Sequence, residues 1–151
     1  MREGLQTVDA LTFEELNDIS KASEILNPVD LQVLGFSLDW HHSYFYESKY
    51  RCLVFRDKAD SIVGYGYIRP TEGVGPVAVT SAEFMAPALA TALKISSGQD
   101  VTEIGYYTPG SNVAAVDLAL RLRMKFEPFV FMSTRPFGRW ENYIFHSAAL
   151  M

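Results

Sequence analysis

Few side chains in this chain are of types that could do chemistry by themselves. Its histidines are His41, His42 and His146, and Cys52 is its single cysteine. His41 and His42 are adjacent, so on a helix they point about 100° apart, and no acidic residue or cysteine stands near them at the spacing of metal ligands. No metal site is predicted. Cys52 lies in an apolar, strand-like run and reads as a buried, inert thiol that supports neither an internal disulfide nor a zinc site. His146 follows Tyr143, Ile144 and Phe145, the setting of a packed or surface histidine. No G-x-S-x-G elbow supports a hydrolase triad.

Backbone chemistry has a better-defined place. Val101 to Tyr107 is rich in β-branched and aromatic residues and is stopped by the turn residues Thr108, Pro109, Gly110 and Ser111. A helix follows, with Ser111 or Asn112 as its cap. Val113, Val116 and Leu120 recur at helical spacing, with Ala115, Leu118, Ala119 and Leu122, and Asp117 and Arg121 form an i,i+4 pair. A strand feeding a helix through a glycine-containing loop is a common place for a ligand to meet free backbone N–H groups.

The elements that would position this unit are readable along most of the chain. Leu5 to Val8 reads as a short strand. Thr12 to Glu15 reads as a capping box, opening a helix through Phe13, Leu16, Ile19, Ala22 and Leu26 that ends at Asn27-Pro28. Pro28 then starts a second helix, or two helical pieces broken near Gly35. Tyr50 to Arg56 and Ser61 to Arg69 read as a hairpin around residues 57–60. In the second of these strands Ile62, Gly64, Gly66 and Ile68 fall on one face and Val63, Tyr65 and Tyr67 on the other. Gly73 to Val79 is a third strand. Pro87 fits only a first helical turn, which places the next helix from about Glu83 to Gly98. Phe129 to Arg135 and Trp140 to His146 read as closing strands around residues 136–139.

These elements fit one domain, residues 1–151, with 48% hydrophobic and 21% charged residues. A net charge of −5 and a pI near 5.1, without a Lys/Arg cluster, argue against a nucleic-acid partner. There is no run of about 18 apolar residues and the N-terminus has no apolar signal core, so no membrane association is predicted and a cytoplasmic location is expected.

The order of elements resembles that of the GNAT superfamily of acyl-CoA-dependent N-acetyltransferases over essentially the whole chain. Strand, turn, Asn112, Ala115 and helix are similar to the second half of that family's cofactor-binding region, where strand, Asn and helix flank the pantetheine arm. GYGYIR at 64–69, VGPVAV at 74–79, PGSNVAAV at 109–116 and RPFGRWENY at 135–143 resemble the GNAT-type domain that often forms the C-terminal half of two-domain bacterial proteins. The resemblance implies an α/β (α+β) fold: a mixed, mostly antiparallel sheet of six to seven strands with helices on both faces. It implies transfer of an acetyl or acyl group from acetyl-CoA to a small-molecule or peptide amine, and a homodimer or a partner GNAT domain. Such transfer needs a base, donors for the thioester oxygen and an acid for the thiolate. Glu103 and Glu72 are the candidate bases, and Tyr107 or Tyr106 the candidate acid. Strands send Tyr106 and Tyr107 to opposite faces, so at most one of them faces a given site. Cofactor contacts would come from the backbone at Val77 and Val79, the hydroxyls of Thr80 and Ser81, and Asn112.

The departures define an alternative. The family's pyrophosphate loop, Arg/Gln-x-x-Gly-x-Gly/Ala, is replaced at residues 79–85 by VTSAEFM, without glycine, Arg or Gln. Glu83 puts a negative charge where a pyrophosphate would sit. The family's catalytic tyrosine position is Ala119, and its Gly-Phe at the helix end is Arg123-Met124. The alternative is a GNAT-like module without turnover, serving as a structural, interaction or ligand-sensing domain.

Overall fold

Residues 11–69, 73–98 and 103–147 are described by the computed structural model. The expected strand at Leu5 to Val8 and the candidate base Glu72 lie outside them. The described residues form an α+β fold: a five-stranded antiparallel sheet in the order β1-β2-β3-β4-β5, with four α-helices. The strands are β1 (Thr12–Glu15), β2 (Arg51–Arg56), β3 (Ile62–Arg69), β4 (Gly73–Val79) and β5 (Tyr143–Ile144). The helices are α1 (Ala22–Val33), α2 (Asp39–Glu47), α3 (Met85–Ser96) and α4 (Val113–Arg121).

Two cores flank the sheet, so helices do cover both faces. On one face Leu53, Phe55, Ile68, Val77 and Val79 pack against α3 and α4 through Met85, Leu89, Leu93, Ala115 and Leu118. On the other Cys52, Val54, Tyr65, Tyr67 and Ala78 pack against α1 and α2 through Leu26, Val29, Val33 and Phe45. The hairpin from β2 to β3 has its expected place. The alternation within β3 shifts at a bulge, however. Phe55 pairs with Gly64 and Arg56 with Ile62, which leaves Val63 as the extra residue. Val63 therefore joins the α3 core with Ile68, and Ile62 packs on the α1 side with the two tyrosines.

The N-terminal third departs furthest from expectation. Thr12 to Glu15 is a strand, paired from Thr12↔Arg56 to Glu15↔Leu53, and not a capping box. Its carboxylates serve as partners for the arginines of β2. Glu15 accepts from both Nε and Nη2 of Arg51 (3.1 and 2.9 Å), and Glu14 from Nε and Nη2 of Arg56 (3.1 and 2.7 Å). Asp18 instead begins the helical region, its side chain accepting from Ser20 N–H ahead of a 3-10 turn at Ile19–Lys21. α1 then runs through Pro28 rather than ending before it. An interior proline costs about 3 kcal/mol; here Ala22, Leu26, Val29 and Val33 bury one continuous face, and burial of a large aliphatic side chain is worth about 1.5–3 kcal/mol each. The break at Gly35 is as expected, with φ of +86°.

Further along, Pro87 lies in the first turn of α3, after a 3-10 turn at Ala82–Phe84. In α4 the core-facing residues are Ala115, Leu118 and Ala119, whereas Val113 and Leu120 are exposed on its outer side. Three expected strands shrink or vanish. Of the described part of Val101 to Tyr107, only Tyr107 is bridged, to Phe145. Phe129 to Arg135 carries no strand. Trp140 to His146 is reduced to β5, a bridge at Phe145 and a 3-10 turn at Trp140–Asn142. The sheet accordingly has five strands among the described residues rather than six to seven.

Candidate functional site

The expected cofactor groove lies beside β4, between that strand and residues 103–107. At its start the two are bonded directly: Val74 N–H donates to Gly105 O at 3.0 Å. Beyond Val74 they part, and β5 fills the gap. Val77 pairs with Ile144 and Ala78 with Tyr143, while Phe145 N–H donates to Tyr107 O at 2.8 Å. β4 and Tyr107 both run antiparallel to β5, so β4 and the segment at Tyr107 run in the same direction.

Glycine makes the close approach possible. Gly75, at φ +142°, carries no Cβ where one would fall on the Phe145 carbonyl, and a Cβ on Gly73 would fall on that of Gly105.

Each candidate site residue has a definite place around this wedge. Val77 and Val79 are fully buried, and the open edge of β4 at Val77 and Ala78 is already paired with β5. Thr80 N–H donates to Val63 O at 2.8 Å, its hydroxyl lies 3.3 Å from the same oxygen, and its carbonyl accepts from Gln32 Nε2 at 3.3 Å. Ser81 precedes the 3-10 turn, and its side chain makes no cap bond. Asn112 is buried and uses both ends of its amide: Oδ1 caps α4 by accepting from Ala115 N–H, and Nδ2 donates to Tyr143 O, each at 3.1 Å. It thereby fixes α4 to β5.

Glu103 and Tyr107 lie on the exposed face of their segment, and Tyr107 stacks edge-on against Phe129. Tyr106 points the other way, into the α3 core, and donates to Ala115 O at 2.7 Å. Burial raises its phenol above the usual tyrosine range. The structure thus brings Asn112 and Val77 together across β5, and leaves Glu103 and Tyr107 in the open.

A second cluster was not anticipated. Asp30 of α1 and His42 of α2 are both buried, between the helices and β3. Asp30 Oδ1 accepts from the Tyr65 hydroxyl at 2.6 Å; Oδ2 accepts from Leu38 N–H at 3.1 Å and lies 2.9 Å from His42 Nε2. His42 Nδ1 is 2.9 Å from the Tyr67 hydroxyl. With Nε2 donating to the carboxylate, Nδ1 is free to accept from Tyr67, which satisfies the whole set. Burial raises both tyrosines well above their usual range and pushes the neighbouring Cys52 thiol up to about 12. Cys52 is buried, as expected.

The sequence does hold one signal for this cluster, since Tyr65 and Tyr67 share a face and must find partners for their hydroxyls there. Asp30 and His42 were missed because they lie on two different helices, α1 and α2, whose docking brings them together.

The Tyr143 hydroxyl is buried in the same region and has no hydrogen-bond partner. An open depression of about 290 Å³, lined by Glu14, Glu15, Asp18 and Lys21 among others, lies at the β1 edge of the sheet, opposite β5. No group of three or more His, Cys, Asp or Glu side chains among the described residues is arranged to hold a metal, and no described helix is long and apolar enough to cross a membrane. Compared with known protein families, with curated proteins and with solved structures, the chain gives no significant match.

Proposed function

We propose that this chain is a GNAT-like module that works without turnover, as an interaction domain related in architecture to acyl-CoA-dependent N-acetyltransferases. The observation that carries this reading is the seating of β5 in the wedge beside β4. A pantetheine arm laid along Val77 and Val79 would need the backbone groups that Tyr143 and Ile144 already use. It would also need Asn112, whose amide is committed at both ends. The absence of glycine from residues 79–85 and the carboxylate of Glu83 point the same way.

The N-acetyltransferase reading keeps one supporting observation: Glu103 and Tyr107 share an open face beside the wedge. It requires β5 to leave, with acetyl-CoA taking its place and an amine approaching Glu103. Calorimetric titration with acetyl-CoA and with desulfo-CoA separates the two. The interaction module gives no binding heat at cofactor concentrations of about 1 mM, above the usual range of substrate affinities. Saturable binding that Asn112→Ala weakens would overturn the interaction module, and acetyl transfer to an amine on top of it would establish the acetyltransferase reading.

A further inference from the structure

The arginines of this chain fall into two groups. Arg51, Arg56 and Arg121 are held in ion pairs, and Arg69 lies over the Tyr50 ring. Arg135 and Arg139 are exposed, and only their backbones are bonded: Arg135 N–H donates to Ser133 Oγ at 3.3 Å and Arg139 N–H to Val33 O at 2.7 Å. Their guanidinium groups make no ion pair or hydrogen bond among the described residues. They bracket Phe137, whose ring packs on Phe36, Phe131 and Trp140. Residues 123–141 hold four basic and two acidic residues, a net charge of +2 on a chain of −5.

The stretch ahead of Arg135 has the pattern of a strand without the pairing. Phe129 and Phe131 are 39% and 43% exposed and turn inward, onto Tyr107 and onto Trp140 with Phe145, whereas Val130 and Met132 are 84% and 85% exposed. A period of two is the signature of a strand. Residues 126–132 nevertheless make no backbone–backbone hydrogen bond among the described residues.

We infer that this surface docks an extended, acidic segment of another protein, which pairs by its backbone with residues 129–132 and sets carboxylates against Arg135 and Arg139. The inference names a partner for the interaction module proposed above and rests on that reading. Strand addition draws its affinity from unpaired backbone N–H and C=O groups, and its selectivity from alternate side chains. Charge decides the partner. A carboxylate meets a guanidinium in a two-pronged bond that a neutral or basic segment does not offer. A second copy laid on the same surface would set Arg135 and Arg139 against their own kind, which complementary interfaces avoid. A lipid surface would leave the bare backbone of residues 126–132 without hydrogen-bond partners.

The test is calorimetric titration of the whole chain with a short synthetic peptide of alternating valine and glutamate, beside the same peptide with lysine in place of glutamate. The glutamate peptide binds with a dissociation constant below about 100 μM, weakens as salt is raised, and slows amide exchange at residues 129–132; the lysine peptide does not bind. The double variant Arg135→Glu with Arg139→Glu alters exposed side chains that have no bonds to break, so it keeps its fold, which circular dichroism checks. It binds the glutamate peptide at least about tenfold more weakly and accepts the lysine peptide instead. Lys58→Glu, in the turn between β2 and β3, leaves the glutamate peptide's affinity unchanged.

No saturable binding of the glutamate peptide at about 1 mM overturns the inference. So does equal binding of the two peptides, an affinity that the double variant leaves unchanged or that Lys58→Glu lowers equally, or binding that leaves exchange at 129–132 as it was. Tighter binding of oligouridylate than of the peptide overturns it too, by making this a nucleic-acid surface. A chain that binds neither peptide nor acetyl-CoA removes this inference and leaves the proposed function standing, whereas one that binds both keeps the peptide surface and removes the reading without turnover.

Discussion

At the scale of single residues, two buried tyrosines of similar setting separate bonded from unbonded hydroxyls. Tyr65 donates to Asp30 at 2.6 Å, whereas the Tyr143 hydroxyl has no partner. Tyr65→Phe strips a buried carboxylate of a donor and is expected to cost about 1–3 kcal/mol in urea unfolding. Tyr143→Phe removes an unsatisfied polar atom and is expected to be neutral or stabilising. Equal losses from the two would contradict this assignment.

Asp39 supplies a pH test. Hydrogen bonds from Ser23, then Ser37 and Asn27, lower its carboxyl from 3.8 to about 2. Because the folded value is the depressed one, its contribution is present above about pH 4 and is lost as pH falls through about 2. The stability gap between wild type and Asp39→Ala should therefore be flat above pH 4 and shrink below it. A gap that persists to pH 2 would show that the carboxylate charge is not what the three donors hold. At this scale the sequence was partly readable: the opposite facing of Tyr106 and Tyr107 follows from strand period alone. The meeting of Asp30 with His42 depends on two helices docking, which local pattern does not encode.

At the scale of elements, β5 is the decisive one, and it is only two residues long. Its seat depends on Gly75 and Asn112. Gly75→Ala would place a methyl group on the Phe145 carbonyl and force a left-handed φ on alanine. A loss of about 2 kcal/mol or more is expected, of the size that strained special positions give. Asn112→Ala removes a helix cap and the bond to Tyr143, with a cost of about 1–2 kcal/mol. Thermal unfolding of both variants checks the pair; wild-type stability in either would mean that β5 is held by other contacts.

The β2–β3 hairpin, β4, α3 and α4 were legible because period and turn residues agree there. Thr12 to Glu15 was not, since TFEE satisfies a capping box and an edge strand equally well. Only the arginines of β2, some 36 or more residues away in sequence, decide between them. Phe129 to Arg135 has the residues of a strand but pairs with no strand among the described residues, which local propensity cannot register.

At the scale of the molecule, a sheet covered on both faces by helices was expected and is present, with fewer strands among the described residues. Of the residues expected to contact a cofactor, Val77 pairs with β5 and Asn112 bonds to it. Asn112 was expected as a helix cap and is one, and its Nδ2 also holds the chain's own Tyr143 carbonyl, a contact between distant parts of the chain. What fills a groove is a tertiary fact, set by where the last strand lands.

The most direct test is amide hydrogen exchange of residues 77–78 and 143–145, with and without acetyl-CoA at about 1 mM, a concentration at which typical substrate sites are filled. The proposed module keeps these amides among the slowest in the chain, and the cofactor leaves their rates unchanged. Rapid exchange at 143–145, or a change in protection along β4 when acetyl-CoA is added, would contradict the account: it would mean that β5 yields the groove to the cofactor.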